Sequence, residues 1–200
     1  MSYSIISFDL CGTIADCRAY DELWYRVIPE LYSEKRGINF NESMDKIMGL
    51  YRSVGPLSLN WYRPSYWIDR LSLDLDLYRM KVKDLHVKVN EDLVNMVRKD
   101  HRVILATNVA TEVLELTVNL KLFDNIYSCI DMGRPTKDEA FWKSVIKSEG
   151  EKPYKILHMG DNYVYDYLIP SIMGIRSRIT SFEKVSRDLQ RELYANVISH

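Results

Sequence analysis

The sequence predicts an α/β protein built on a parallel sheet, and two observations carry this prediction. Short apolar runs recur along the 200 residues, without the polar alternation of half-exposed strands. Helical patterns separate these runs, and alternating strands and helices indicate a parallel sheet with crossover helices. Residues 17–85 interrupt this rhythm with helical stretches and no clear strand. We therefore expect a core made by residues 1–16 and 86–200, with 17–85 inserted as a helical cap.

Five segments have the short apolar composition of buried parallel strands. The last of them contains Arg176 and Arg178, which favours an edge position in the sheet. Together the segments predict a Rossmann-like sheet core. They cover residues 3–10, 103–107, 126–130, 155–159 and 175–179.

The segments between these strands have the apolar periodicity of helices. Asn90 is a predicted N-cap, because its side chain can accept a hydrogen bond from the first turn. Gly150 suits the C-terminus of a helix that begins at Lys137. Pro170 shortens or kinks the helix that contains it, since proline lacks a backbone N–H. The predicted core helices cover residues 90–97, 111–119, 137–148, 163–173 and 182–197.

The inserted segment contains three helical stretches and one aromatic segment. A helical block placed after the first strand of an α/β core is best interpreted as a cap over the active face. The aromatic segment, residues 61–67, contains Arg63, which is a candidate to bind an anionic substrate. The alternative is that these rings form the core of the cap itself. The helical stretches cover residues 21–35, 41–52 and 71–80.

Composition and charge argue against several classes of protein. The formal net charge of -1 argues against a nucleic-acid or anionic-membrane partner. No apolar run approaches the roughly 20 residues that span a bilayer, and the N-terminus lacks the features of a signal peptide. The three cysteines are too few and too irregularly spaced for a disulfide framework or a zinc site. We therefore expect a soluble cytoplasmic protein with reduced cysteines, without nucleic-acid or membrane partners.

Polar side chains stand at the carboxyl ends of the first four predicted strands. In an open parallel sheet, ligands bind just outside these ends, so the side chains are expected to share one crevice. Carboxylates, hydroxyls and a lysine are the groups that phosphoryl transfer needs. The candidates are Asp9 and Thr13 after the first strand, Thr107 and Asn108 after the second, Lys137 after the third, and Asp161 with Asp166 after the fourth.

Each of these side chains suits a step of phosphoryl transfer. Asp9 ends an apolar run and precedes a Gly-Thr turn, so it can attack phosphorus and form an aspartyl-phosphate. Thr107 and Lys137 can hold the transferring group, because donors and cations stabilise the negative charge on its oxygens. Mg²⁺ usually takes one or two carboxylates, a role that Asp9 and Asp161 fit. Asn108 is a candidate for substrate binding.

These residues resemble the motifs of the haloacid dehalogenase (HAD) superfamily, in the family's order. Residues 9–13, Asp-Leu-Cys-Gly-Thr, are similar to the first motif, D-x-D-G-T. Thr107 matches the hydroxyl of the second motif and Lys137 the lysine of the third. Asp161 and Asp166 match the acid pair of the fourth. The resemblance implies a capped, Mg²⁺-dependent hydrolase, a phosphatase that acts on a small phosphorylated metabolite through an aspartyl-phosphate.

Cys11 departs from the family pattern, because the phosphatases have a second acid at this position. That acid protonates the leaving oxygen and then activates water, and a thiol replaces it poorly. Losing a positioned acid–base group costs about 10²–10⁴-fold in rate, so weak or atypical turnover is expected. The backbone carbonyl of Cys11 remains a candidate Mg²⁺ ligand beside Asp9, Asp161 and Asp166.

Three alternatives stay open. Dehalogenases have an uncharged residue at the position of Cys11, although the acid at Asp161 favours metal and therefore phosphorus chemistry. Phosphonate-cleaving members also lack the second acid but need a reactive cap lysine, for which Lys35 and Lys46 are candidates. In a non-enzymatic protein, Asp9 and Asp161 would bind a metal and a phosphorylated ligand without turnover.

Four residues have plainer interpretations. Asp166 is expected to orient Lys137 or a water on the metal. His158 is expected to be a core-strand residue, since the four histidines show no metal-ligand spacing. Cys17 and Cys129 are expected to be structural.

Overall fold

The structure is a computed structural model that describes residues 3–85 and 87–198. Contacts within the chain divide it into two compact units. The core unit comprises residues 1–16, 88–108 and 120–200, and the helical unit comprises residues 17–87 and 109–119. Among the described residues, no helix has both the length and the apolar character that crossing a bilayer requires.

The core unit holds all the strands of the described chain. They are β1 (Ile5–Phe8), β2 (Ala15–Asp16), β3 (Lys88–Val89), β4 (Arg102–Thr107), β5 (Asn125–Ser128), β6 (Ile156–Gly160) and β7 (Arg176–Ile179). Five of them form one sheet in the order β5-β4-β1-β6-β7, and every pairing in it is parallel. Strands β2 and β3 pair antiparallel beside it as a separate two-stranded sheet. The prediction of an α/β fold with a parallel sheet is confirmed.

Strand β1 occupies the middle of the five-stranded sheet and leads the chain to the site. Its four residues are all buried, because Ile5, Ile6 and Phe8 supply apolar side chains to both faces of the sheet. Phe8 is in register with Leu105 of β4 and with Met159 of β6. The residue after Phe8 therefore emerges between the ends of two neighbouring strands.

The two edges of the sheet are β5 and β7. Strand β7 carries exposed Arg176 and Arg178, and it lies at the edge that its charged side chains predict. An edge strand can keep such charges in water, which a central strand buried on both faces cannot.

Helices connect the strands of the core unit. Asn90 caps the first of them, since its side chain accepts a hydrogen bond from the Leu93 N–H at 3.2 Å, as predicted. The α-helices are Glu91–Val97, Glu139–Glu149, Ile169–Ile172 and Val185–Ile198, with 3₁₀-helices at Leu120–Leu122 and Pro153–Lys155.

Lys137 lies in the loop before its helix, not in the first helical turn. The sequence predicts a helix from Lys137, whereas the observed helix is Glu139–Glu149. Asp138 is the N-cap, because its carboxylate accepts a hydrogen bond from the Phe141 N–H at 2.9 Å. The predicted start of this helix is therefore wrong by two residues.

The segment after β6 departs most from the predicted helices. The sequence predicts one helix over residues 163–173. The structure has a π-helix at Tyr163–Leu168, followed by the short α-helix Ile169–Ile172. The Asn162 side chain caps this segment by accepting hydrogen bonds from the N–H groups of Val164 and Tyr165, each at 3.0 Å. π-helical turns are rare and often occur at functional sites.

The helical unit is organised around aromatic side chains. Trp67 is fully buried, and its ring centroid lies 4.7 Å from that of Tyr51. The Trp67 Nε1–H donates to the carbonyl oxygen of Trp61 at 3.2 Å, so the aromatic segment packs on itself. The α-helices are Arg18–Glu22, Ile28–Arg36, Phe40–Val54, Pro64–Leu71, Leu75–Lys83 and Thr111–Thr117, with a π-helix at Leu23–Val27 and a 3₁₀-helix at Leu59–Tyr62.

Residues 109–119 belong to the helical unit although they follow β4 in the sequence. The helix Thr111–Thr117 packs against the helix Leu75–Lys83. The hydroxyl oxygens of Tyr20 and Thr117 lie 3.0 Å apart, which adds a hydrogen bond between distant parts of this unit.

Candidate active site

Asp9 stands directly after β1, at the carboxyl end of the sheet. Its backbone N–H donates to the carbonyl oxygen of Met159 at 2.9 Å, which ties the residue to β6. Only 6% of Asp9 is exposed. Burying a carboxylate is costly unless it is paired, so the partners of Asp9 decide what the site can do.

Lys137 is the cationic partner of Asp9. It is 2% exposed, and its Nζ donates to Asp9 Oδ1 at 2.6 Å and to the carbonyl oxygen of Ala106 at 3.3 Å. The same Nζ forms an ion pair with Asp166 Oδ1. One buried ammonium thus joins two carboxylates and the backbone of β4.

Asp166 is held by three donors of the protein. Its Oδ1 accepts from Lys137 and lies 3.1 Å from His158 Nε2, and its Oδ2 accepts from the Asn162 N–H at 3.1 Å. Only 1% of Asp166 is exposed. The π-helix that carries Asp166 therefore presents it to Lys137 as a fixed anion.

Two glycines allow the acids to approach the chain closely. A Cβ atom added at Gly12, where φ is +77°, would lie 2.2 Å from Asp161 Oδ2. A Cβ atom added at Gly160 would lie 2.4 Å from the Cβ of Asp166. Real atoms cannot approach so closely, and the positive φ of Gly12 is also unfavourable for other residues. Gly12 and Gly160 are thus part of the geometry of the site.

The electrostatics of the site favour an added cation. Burial is the main cause that raises the pKa of Asp9 to about 7; the charges of Asp166 and Asp161 add to it, and Lys137 opposes it. Burial and the charge of Asp166 raise the pKa of Asp161 in the same way. Burial opposes ionisation of Asp166, but His158 and Lys137 hold its pKa well below the usual range. One lysine thus faces three carboxylates.

Asp9, Asp161 and Asp166 together fit a magnesium ion. Each offers a carboxylate oxygen, and these oxygens all lie within 4.8 Å of one another. With Mg–O bonds of about 2.0–2.1 Å, opposite ligands of a Mg²⁺ octahedron are about 4 Å apart, so the group has a suitable size. All three ligands are oxygens, which Mg²⁺ prefers.

Three other predicted site residues follow core strands: Thr107 and Asn108 are at the end of β4, and Thr13 is in the turn between β1 and β2. Thr107 is the last residue of β4 and is buried. The Asn108 side chain donates from Nδ2 to the carbonyl oxygen of Pro135 at 3.3 Å, which supports the loop before Lys137. The Thr13 hydroxyl is buried without a hydrogen-bond partner among the described residues, which leaves it available to a ligand.

The state of Cys11 contradicts the expectation that the cysteines are reduced. Cys11 and Cys17 are disulfide-bonded in the structure, whereas Cys129 is a buried free cysteine. The expectation of reduced cysteines is therefore wrong for the first two. The cause is the turn after Leu10, which places Cys11 beside Ala15, two residues before Cys17. In this form the Cys11 side chain has no thiol proton to give.

Arg63 lies in the helical unit, immediately before the helix Pro64–Leu71. The site residues of the core unit do not include it, and its part in substrate binding stays a prediction.

His158 is a site residue that the sequence did not indicate. It is fully buried in β6, and burial lowers its pKa, so its ring is neutral. Its Nε2 faces Asp166, and its Nδ1 lies 2.9 Å from Ser7 Oγ. Ser7 and His158 are polar residues within the apolar runs of β1 and β6, and they lie opposite each other in the sheet. Two such polar residues in neighbouring buried strands are the sequence signal that could have indicated the pair.

Comparison with known proteins finds relatives in sequence and in fold. No model of a known protein family matches the chain. Over 166 residues the chain is 25% identical to GMP/IMP nucleotidase YrfG of Escherichia coli (strain K12), covering 78% of this chain and 73% of that protein. The crystal structure of a HAD phosphatase from Thermococcus onnurineus superposes with a TM-score of 0.71 at 17% identity, covering 94% of this chain and 98% of that one. The chain is thus similar to HAD-type hydrolases in fold and, over 166 residues, in sequence.

A second solved structure extends the comparison. HAD-hydrolase YfnB from Bacillus subtilis, described as bound to magnesium, superposes with a TM-score of 0.58 at 16% identity. The match covers 88% of this chain and 87% of that one. At such identities the likeness establishes the fold, and the chemistry has to be argued from the residues of the site.

Proposed function

We propose that this protein is a HAD-like hydrolase, specifically a Mg²⁺-dependent phosphatase, which acts on a small phosphorylated metabolite through an aspartyl-phosphate on Asp9. The observation that carries the proposal is the pairing of buried Asp9 with Lys137 inside a group of three carboxylates. A carboxylate held in this way is a suitable nucleophile toward phosphorus.

The first step forms a bond between an Asp9 carboxylate oxygen and phosphorus, while the bond from phosphorus to the leaving oxygen breaks. Lys137 neutralises negative charge on the transferring group, and the hydroxyls of Thr107 and Thr13 donate hydrogen bonds to its oxygens. In the second step, water attacks phosphorus and releases a proton to solvent, the Asp9–phosphate bond breaks, and phosphate leaves.

Asp9 and Asp161 are the residues that would hold Mg²⁺ directly, with the backbone carbonyl of Cys11. Asp166 completes the acid group, but three protein donors already occupy its oxygens, so its larger task is to fix Lys137. The ion supplies positive charge beside the transferring phosphoryl group.

Cys11 limits the substrates that turn over well. No acid stands at this position to protonate a leaving oxygen, which costs about 10²–10⁴-fold for poor leaving groups. Acyl and aryl phosphates need little protonation, so we expect them to react faster than alkyl phosphates. Within this limit, the nucleotidase relative makes GMP and IMP the first metabolites to test.

Cleavage of a carbon–halogen or carbon–phosphorus bond is the second candidate function. The observation in its favour is the absence of an acid at Cys11, because neither reaction requires the family's general acid. Asp161 weighs against the dehalogenase, since an acid there favours a metal ion. A binding protein without turnover is the remaining alternative.

The proposed partners are Mg²⁺ and a small phosphorylated substrate, for which Asn108 is the candidate binding residue of the core unit; the part of Arg63 in binding the substrate stays a prediction. A cytoplasmic location is proposed with them, because small phosphorylated metabolites occur there, although disulfide-bonded cysteines such as Cys11 and Cys17 are uncommon in that compartment.

The deciding experiment measures phosphate release from a panel of aryl, acyl, sugar and nucleoside phosphates. Each substrate is tested with Mg²⁺ and with EDTA, using the wild type, Asp9→Asn and the control Asp76→Asn. Asp76 is an exposed acid in the helical unit, so its variant removes the same charge outside the site. Release that needs both Mg²⁺ and Asp9, and that Asp76→Asn leaves unchanged, is the expected result. Release that survives Asp9→Asn would overturn the proposal.

A further inference from the structure

His158 is the one buried histidine in the described residues, and the steps above do not use it. It lies in β6, next to the central strand, with none of its surface exposed. Both ring nitrogens have side-chain partners, at 2.9 Å and 3.1 Å. A histidine that only fills space needs neither.

The partners of the ring define its tautomer. An ionised Asp166 can only accept hydrogen bonds, so His158 Nε2 carries the proton and donates it. Nδ1 is then an acceptor, and the Ser7 hydroxyl donates to it. Ser7 thus selects the ring form that can hold Asp166.

The hydrogen bond to Asp166 continues to the nucleophile. Asp166 Oδ1, which accepts from His158, also pairs with Lys137 Nζ, and Lys137 donates to Asp9. Ser7, His158, Asp166, Lys137 and Asp9 thus form one continuous chain of buried polar groups. A displaced Asp166 would move the ammonium group away from Asp9.

Trp142 restrains the same part of the site from a second direction. Its ring lies 4.6 Å from the His158 ring in an edge arrangement, which limits rotation of the imidazole. The Trp142 Nε1–H donates to the carbonyl oxygen of Tyr165 at 3.2 Å, which fixes the residue before Asp166. The ring and the backbone that it supports are thus held together.

We propose that His158 is a positioning residue for the reaction: its Nε2–H fixes Asp166, and through Asp166 it fixes the Lys137 ammonium at Asp9. This inference rests on the proposed phosphatase function. Replacing His158 is expected to change kcat, because His158 supports the Lys137 ammonium that faces the transferring group. It is expected to leave KM nearly unchanged, because His158 itself contacts no substrate.

The kinetic experiment compares two replacements of similar size. Gln in His158→Gln keeps an N–H donor near the position of Nε2, whereas Leu in His158→Leu keeps volume without a donor. With an aryl phosphate and saturating Mg²⁺, we expect His158→Leu to lower kcat about 10–100-fold with KM within about threefold of wild type. His158→Gln is expected to recover most of this loss, and Ser7→Ala to lower kcat only a few-fold.

Thermal unfolding of both variants provides the control for packing. Equal loss of kcat in His158→Gln and His158→Leu, or wild-type kcat in His158→Leu, would overturn the inference. If His158→Leu does not fold, His158→Met replaces it, since methionine is also without a donor and adapts to irregular spaces.

Nitrogen NMR of the wild type with ¹⁵N-labelled histidine tests the inference without turnover. We expect His158, assigned by its loss in His158→Gln, to show a protonated Nε2 and an unprotonated Nδ1, and Ser7→Ala to disturb this pattern. A protonated Nδ1, or rapid exchange between both forms, would overturn the inference. A wild type that releases no phosphate but shows the Nε2–H pattern would refute the phosphatase and leave the ring arrangement supported.

Discussion

The core unit buries charged side chains, whereas the described part of the helical unit buries none. In the core unit Asp9, Lys137 and Asp166 are each less than a tenth exposed. In the described part of the helical unit the largest fully buried side chain is Trp67, and the buried polar residue is Ser43. The two units therefore differ in which side chains they bury.

This difference indicates which buried side chains serve the proposed reaction and which serve only to stabilise the fold. Burying rings stabilises a fold at little electrostatic cost, so the aromatic centre of the helical unit needs no further explanation. Buried charges are stable only when they are paired, and Asp9 with Lys137 and Asp166 form such a group. A protein that keeps an expensive arrangement of this kind is expected to use it.

Replacing the central cation should have the largest effect. In Lys137→Met, Asp9 and Asp166 stay buried without their ammonium, and we expect the free energy of unfolding to fall by about 3–5 kcal/mol. Phosphate release should fall below detection. Urea unfolding measures the first effect, and Lys143→Met is the control, since Lys143 is exposed and its pair with Glu139 is on the surface. Equal stability of both variants would show that the buried charges are not coupled.

Removing the charge of Asp9 should stabilise the metal-free protein at high pH. The pKa of Asp9 is raised from 3.8 to about 7, so between these values the folded state keeps a proton that the unfolded state releases. This contribution to stability is complete below about pH 4 and is lost as the pH rises through 7.

In EDTA, Asp9→Asn should therefore gain stability relative to wild type from pH 5 to pH 8, by about 2 kcal/mol. Mg²⁺ should reverse the order at pH 8, because it stabilises the ionised wild-type carboxylate. Thermal unfolding at the two pH values measures both effects. A constant difference across this range would contradict the assigned electrostatics.

Adding an acid should raise turnover by about tenfold or more. In Cys11→Asp a carboxylate stands where the HAD phosphatases have theirs, so we expect faster release from sugar and alkyl phosphates than from the wild type. Substrates with good leaving groups should gain less. Cys17→Ser is the matched control, since it removes the disulfide without adding an acid. If Cys11→Asp and Cys17→Ser release phosphate at equal rates, the gain comes from loss of the disulfide and not from the added acid.

The smallest effect is expected in the helical unit. The Tyr78 hydroxyl is buried and has no hydrogen-bond partner among the described residues. Tyr78→Phe should therefore leave the free energy of unfolding unchanged or raise it by up to about 1 kcal/mol. Tyr51→Phe is the control, because its hydroxyl donates to the carbonyl oxygen of Trp24 at 3.1 Å, and its loss should destabilise. Destabilisation by Tyr78→Phe would mean that the hydroxyl has a partner.

The elements of the core, and the strand ends at which polar residues stand, are predictable from the sequence. Apolar runs without alternation identify strands buried on both faces, and the confirmed parallel sheet follows from their alternation with helices. Since parallel strands end at the same edge, Asp9, Lys137, Asp161 and Asp166 were expected near one another, and the structure places them so. Their roles in the reaction stay predictions.

The partners of each side chain depend on how the elements are arranged in space, which the sequence does not reveal. Ser7 and His158 are distant in the sequence and meet only because β1 and β6 are paired in that register. Two further features do not follow from the local sequence pattern. They are the π-helix at Tyr163–Leu168 and the placement of residues 109–119 in the helical unit. Local periodicity reports which face of an element is apolar, whereas hydrogen bonds between buried polar groups depend on strand order and register. That is why His158, which has the sequence pattern of a core residue, is found hydrogen-bonded to Asp166 in the fold.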